Sequence, residues 1–178
     1  MDSINKQQPE ENRKDLHSRE ATEKIRELAE KAKSCFFCTR SSAGQAFATR
    51  PMSIQKVDDE GNLWFLSSKD SHKNAELQMD PGVQLLFQGS HYSDFLNVYG
   101  EATVTDDKQI IKSLWEPMLK TWFTGGVDDP RISAIQVKPS DGYYWDTKNG
   151  LAVSFAKQIV GAISGKTLDD SIEGKLKV

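Results

Sequence analysis

Cysteine is almost absent: Cys35 and Cys38 are the only two in 178 residues, so no disulfide framework holds this chain together. A run of apolar residues long enough to cross a bilayer is missing as well. The longest largely apolar stretch, Leu151 to Ser164, is interrupted by Ser154, Lys157 and Gln158. No charged-then-apolar leader opens the sequence, and the expectation is a cytoplasmic protein without a membrane segment. Nor is there an excess of positive charge. With 23 Lys and Arg against 26 Asp and Glu the net charge is -3, which removes any general attraction to nucleic acid. Long helices alternating with strands are also lacking, which argues against a doubly wound parallel sheet.

What is present fits one globular domain, with 37% hydrophobic and 28% charged residues. Residues 1–17 are polar and read as a disordered tail. From Ser18 to Lys33, Ala21, Ile25, Leu28, Ala29 and Ala32 recur at helical spacing. The period then falls to two. Strands are expected over Cys35–Arg40, Ala46–Val57, Asn62–Ser67, Val83–Gln88, Phe95–Thr105, Arg131–Val137 and Gly142–Asp146. Helices are expected from Ser71 to Met79 and from Asp106 to about Trp122, the second burying Ile110, Ile111, Leu114, Met118, Leu119 and Trp122. The barrel domain would run over 18–148, and 149–178 would be a helix, Leu151 to Ser164, followed by a polar arm. Cys35-Phe-Phe-Cys38 has strand character, which places its thiols on opposite faces, too far apart for a disulfide.

The stretch Trp64-Phe-Leu-Ser-Ser-Lys-Asp-Ser-His-Lys73 carries the chemistry. A strand ends there in Ser67 and Ser68 and runs into a helix that Asp70 or Ser71 can cap. The free N–H groups of that first turn carry partial positive charge, and His72 and Lys73 add a titratable and a permanent cation. This is the pattern of an anion-binding corner, although the same residue types also serve ordinary helix capping. Arg50 precedes a proline and is held extended, so its guanidinium projects either towards a ligand phosphate or onto an acidic neighbour. Trp122-Phe-Thr-Gly-Gly126 sets two rings beside a flexible loop, where they form either core or a wall against a planar ligand.

Arg50-Pro-Met52, the Trp64 to Lys73 stretch, Asp80-Pro-Gly-Val-Gln-Leu-Leu-Phe87, Val98-Tyr-Gly-Glu-Ala102 and Leu114-Trp-Glu-Pro-Met118 together resemble the general stress protein 26 branch of the pyridoxamine 5'-phosphate oxidase-like family. The likeness covers roughly Glu20 to Asp146, and Glu173-Gly-Lys-Leu176 shares in it. It implies a mainly β fold, a six-stranded antiparallel Greek-key split barrel with flanking helices, assembled as a homodimer with flavin mononucleotide (FMN) at the subunit interface. By this resemblance Arg50, Pro51, Met52 and Ser53 lie on the strand that touches the flavin, and Leu66, Ser67 and Ser68 at the end of the next. His72 and Lys73 correspond to an Arg-Lys pair that grips the phosphate in the oxidases; histidine for arginine weakens that anchor, as does Gln55 in place of a lysine. Trp122 and Trp145 are candidates for a wall supplied by the partner subunit.

No counterpart of the oxidases' C-terminal Arg-x-His segment is found, so pyridoxine phosphate oxidation is not expected. The resemblance implies instead a flavin-dependent oxidoreductase drawing on a nicotinamide electron donor, in which the flavin performs the redox step. A non-catalytic flavin-binding or sensing module is the alternative, as is a split barrel holding deazaflavin or haem. For haem, His91 is the nearest loop candidate as axial ligand.

Overall fold

The computed structural model describes residues 12–40, 47–91, 93–149 and 170–178. Its elements in chain order are β1 (Leu16–His17), α1 (Ser18–Ala32), β2 (Ser34–Thr39), β3 (Ala48–Ser53), β4 (Lys56–Val57), β5 (Leu63–Ser68), α2 (His72–Met79), β6 (Gly82–Gln88), β7 (Phe95–Thr105), α3 (Lys108–Leu114), β8 (Ile132–Thr147) and β9 (Ser171–Lys177). The fold is mainly β. The strands hydrogen-bond in the order β1-β9-β8-β7-β6-β2-β3, with β5 joined to β8 and β4 to β5.

The expected strand Ala46–Val57 is divided. Its described residues pair first with β2, as β3, and then with β5, as β4. Between the two, Ile54 N–H donates to the Lys33 carbonyl at 3.0 Å and Gln55 N–H to the Trp64 carbonyl at 2.8 Å. One segment thereby spans the split between the β2 and β5 sides of the barrel. Pro51 lies on β3, which among the described residues pairs only with β2, so its missing N–H falls on an edge strand.

The two strands expected over Arg131–Val137 and Gly142–Asp146 are a single strand, β8, which passes through Pro139. A register shift at Tyr99 and Gly100 of β7 absorbs the irregularity. A Cβ on Gly100 would stand 2.4 Å from the Lys138 carbonyl oxygen, so the close approach there requires glycine.

The helix expected from Asp106 to about Trp122 stops at Leu114. Pro117 forces Glu116 into an extended conformation (φ -119°, ψ 144°), and only a 3-10 turn, Pro117–Thr121, follows. Of the expected buried stripe, Ile111 and Leu114 are buried, whereas Met118 and Trp122 are exposed. Asp107 caps α3, its carboxylate accepting from Gln109 N–H at 2.7 Å.

At both termini the structure departs from the expected tails. Within 1–17, Arg13 bridges to Glu173, and β1 pairs with β9 in parallel. Of the expected polar arm, Ser171–Lys177 forms β9 against β8. The boundary at 148 therefore does not set residues 170–178 apart from the barrel. The expected helix Leu151 to Ser164 lies outside the described residues.

The main core joins the buried face of α1 (Ala21, Ile25, Leu28, Ala29) to inward residues of the strands, among them Phe37, Phe65, Leu85, Val98 and Ile135. Phe37 and Phe65 meet edge to face at 5.3 Å. Each such side chain contributes about 1.5–3 kcal/mol by burial. A smaller cluster, Ile111, Leu114, Phe123, Ile132 and Ala134, seals the outer side of β5 under Trp64 and Leu66. Cys35 and Cys38 lie on β2 as free, buried thiols.

Candidate functional site

Residues on β5 alternate between its two faces, and this sorts the expected ligands. Ser67 faces inward and is buried, with its hydroxyl donating to Asn74 Oδ1 at 3.0 Å. Asn74 Nδ2 donates to Ser133 Oγ at 2.8 Å, and the Ser133 hydroxyl donates to the Ser67 carbonyl at 3.2 Å. This polar knot ties the end of β5 to α2 and β8, and it occupies Ser67 structurally. Leu66 faces the other way and packs on the α3 cluster. Ser68 shares Leu66's face and donates to the Asp70 carboxylate.

Helix α2 begins without a side-chain cap. Ser71 is the N-cap residue, with extended backbone (φ -72°, ψ 144°), but its hydroxyl makes no capping hydrogen bond, and no acidic residue stands in the first turn. Beside this open end are two cations. Lys73 is half-buried and forms no ion pair among the described residues. Burial above all, and then the positive charge of Arg50, push its pKa below the usual lysine value, while Glu76 works in the opposite direction. His72 is exposed in the same turn.

Arg50 faces inward from β3, as does Met52, which is buried in the core. The Arg50 guanidinium pairs with Glu76 Oε2 at 2.8 Å and donates to Thr39 Oγ1 at 2.8 Å. Of the two roles the sequence leaves open for Arg50, the structure displays the acidic neighbour, and it stands beside Lys73. Pro51 and Ser53 point to the opposite, exposed face of β3.

Arg50, His72 and Lys73 are thus brought together, whereas Ser67 is occupied elsewhere and Leu66, Pro51 and Ser53 lie on other faces. Trp122 follows the 3-10 turn and is 63% exposed; Trp145 is 43% exposed on β8, its ring tilted against that of Tyr143 with centroids 4.6 Å apart. Glu76, Thr39, Asn74 and Ser133 are not among the site residues expected from the sequence. For Glu76 a signal existed, since it stands three and four residues beyond Lys73 and His72 and shares their helical face.

An open-barrel β fold with a cationic strand-to-helix corner defines the class of protein, and comparison with known proteins narrows it. Residues 20–169 match the family model described as pyridoxamine 5'-phosphate oxidase like. The chain belongs to that family. Among curated proteins it is 28% identical over 137 residues to protein bli-3 of Neurospora crassa, covering 72% of this chain and 66% of that protein. It is also 28% identical over 78 residues to general stress protein 26 of Bacillus subtilis, covering 42% of this chain and 55% of that one. The chain therefore spans between half and two thirds of these relatives' length. A crystal structure assigned to general stress protein 26 from Jannaschia sp. CCS1 superposes with a TM-score of 0.73 at 21% identity, covering 88% of this chain and 98% of that one. The general stress FMN/FAD binding protein of Xanthomonas citri superposes with a TM-score of 0.57 at 22% identity, covering 68% and 85% respectively. These matches show the split-barrel fold, and they support the general stress protein 26 branch of the family. Among the described residues no helix is long and apolar enough to cross a membrane.

Proposed function

We propose that this chain binds FMN at the junction of β5 and α2 and acts as a flavin-dependent oxidoreductase in the cytoplasm, without oxidising pyridoxine phosphate. The observation that carries this reading is the state of Lys73: a half-buried cation, held below its ordinary pKa, with no anion paired to it among the described residues. A phosphate monoester supplies the missing charge and takes up the uncapped N–H groups of α2 at the same time. The donor set therefore fits the terminal phosphate of FMN. Bound flavin supplies the electron transfer; the chain holds the phosphate through Lys73, with Arg50 adding positive charge and His72 standing beside it.

We propose that a second copy of the chain completes the site. On the outward face of β2, β6, β7 and β8, Phe36 is 56% exposed, Leu86 39%, Tyr99 46% and Trp145 43%. Phe36 stands beside Pro51 on one side and Leu86 on the other. A sheet face so apolar is suited to burial against another such face. Trp145, and Trp122 beyond α3, are the rings we assign to the wall against the flavin of the neighbouring copy.

The test is the absorbance spectrum of the purified protein and the mass of any ligand it releases, followed by anaerobic addition of NADH or NADPH. Bleaching at roughly 450 nm, where the flavin chromophore itself absorbs, supports the oxidoreductase. A stable yellow protein that no nicotinamide donor bleaches assigns the chain to flavin binding or sensing. A colourless protein that takes up no added FMN overturns the proposal.

A further inference from the structure

The Arg50–Glu76 pair has a consequence for any anion entering this corner. Thr39, at the end of β2, is wholly buried, and the side chains of Arg50 and Glu76 are 23% and 18% exposed. Arg50 donates to both, and the Thr39 hydroxyl donates to the same carboxylate oxygen, Oε2, that Arg50 grips. The three residues close a ring across β2, β3 and α2. Arg50 stands opposite Phe37, and Thr39 lies two residues beyond Phe37 on the same strand, so the ring is built into the β2–β3 register. Helical spacing puts Glu76 on the face that carries His72 and Lys73.

We infer that Glu76 is an internal competitor for the ligand phosphate: its carboxylate holds Arg50 and sets how strongly the corner prefers phosphorylated to unphosphorylated flavin. This rests on the flavin reading above. The charge balance supports it. Arg50 and Lys73 bring two positive charges and Glu76 removes one, so a phosphate monoester, with close to two negative charges, meets a half-cancelled site. Its entry must take Arg50 from the carboxylate or leave Arg50 unused, and either way part of the anion's binding free energy is offset. Burial works to raise the Glu76 pKa, but the Thr39 hydroxyl and Arg50 outweigh it and hold the carboxyl below its ordinary value. The competitor is therefore charged throughout the neutral pH range. A ligand with the same ring system and no phosphate does not meet this opposition, which separates competition from mere support of the Arg50 side chain.

The experiment compares FMN with riboflavin. Protein freed of bound flavin is titrated with each by quenching of flavin fluorescence, for the wild type, Glu76→Gln and Glu76→Ala, with thermal melts to establish that each variant is folded. Competition predicts that both variants bind FMN about fivefold or more tightly than the wild type, while riboflavin binding stays within about twofold. Weaker FMN binding in the folded variants, or an equal change for both ligands, assigns Glu76 to positioning Arg50 and overturns the inference while the flavin reading stands. A wild type that binds neither flavin overturns that reading, and the competitor role falls with it.

Discussion

Lys31 of α1 and Asp94 at the head of β7 form an ion pair of 2.7 Å in which the carboxylate side chain is 1% exposed and the lysine side chain 48%. Asp94 holds a left-handed backbone (φ 62°), a conformation that aspartate tolerates better than most residues. Its second oxygen, Oδ2, is buried without a hydrogen-bond partner among the described residues. The pair fastens the helix to the barrel, and it leaves a buried carboxylate dependent on one cation.

Lys31→Met keeps the aliphatic stem and removes that cation, so we expect a loss of about 1–3 kcal/mol at pH 7, the lysine being half exposed. Burial tends to raise the Asp94 pKa, but Lys31 and neighbouring hydrogen bonds more than compensate and lower it. A carboxyl with a lowered folded pKa contributes stability that is present above its unfolded value of about 3.9 and is lost as pH falls through the folded value. Urea denaturation of both proteins across this range should show the deficit of Lys31→Met shrinking below about pH 4.

Lys73 has the opposite sign. Because its folded pKa lies below the unfolded one, its charge opposes folding at neutral pH, and this penalty fades only as pH rises through the folded pKa. Lys73→Met should therefore raise the melting temperature of the flavin-free protein, by an amount corresponding to roughly 0.5–1 kcal/mol. The same variant should lose the further rise in melting temperature that FMN gives the wild type, and bind FMN at least about tenfold more weakly. A variant that keeps full FMN affinity would remove Lys73 from the site.

Dimerisation can be tested without flavin chemistry. Phe36 and Leu86 stand opposite each other on β2 and β6 with both side chains outward. Phe36→Glu places a charge at the centre of that apolar patch, which in a buried contact costs several kcal/mol. Size-exclusion chromatography with light scattering should show the wild type as a dimer and the variant as a folded monomer. A wild type that is monomeric at micromolar concentration would contradict the proposed assembly.

Gly174 on β9 lies under the N-terminal segment. A Cβ there would fall 1.9 Å from the Lys14 carbonyl oxygen, which also accepts the Tyr144 hydroxyl at 2.8 Å. Backbone on both sides leaves no flexible side chain to give way. Gly174→Ala should therefore unseat residues 12–17, at a cost of about 2 kcal/mol or more, and make trypsin cleavage at Arg13 and Lys14 faster. N-terminal sequencing after a short digest measures this directly.

Burial pushes the Cys35 thiol up to about 12, with a small contribution from Cys38. A thiol so far from ionisation is a poor nucleophile. Cys35 should resist alkylation by iodoacetamide in the native protein at pH 8 and react once urea has unfolded it; rapid native labelling, located by mass spectrometry, would disprove the burial.

Much of the barrel was legible in the sequence because its strands alternate cleanly. Phe95–Thr105 was expected and observed with the same bounds, since a long alternating run has one register that buries Leu96, Val98 and Ala102 together. α1 was legible from its apolar stripe for the same reason. β9 was not: Ser-Ile-Glu-Gly-Lys-Leu-Lys carries few apolar residues, and its pairing partners are β8 and the distant N-terminal segment. The cations of the corner were also legible, because His72 and Lys73 open the helix that follows a strand end after one short turn. Which of them is already partnered was not.

Local pattern alone, then, determined where most of the barrel strands lie, where α1 and α2 stand, and that a cationic turn follows β5, because period, turn residues and capping positions are short-range properties. Only the tertiary structure decided that β3 and β4 divide between the two sides of the barrel, that Ser67 is spent on Asn74 and Ser133, and that Glu76 holds Arg50 while Lys73 has no ion-pair partner among the described residues. Those outcomes depend on distances between residues far apart in the chain, and no window of neighbouring residues contains them.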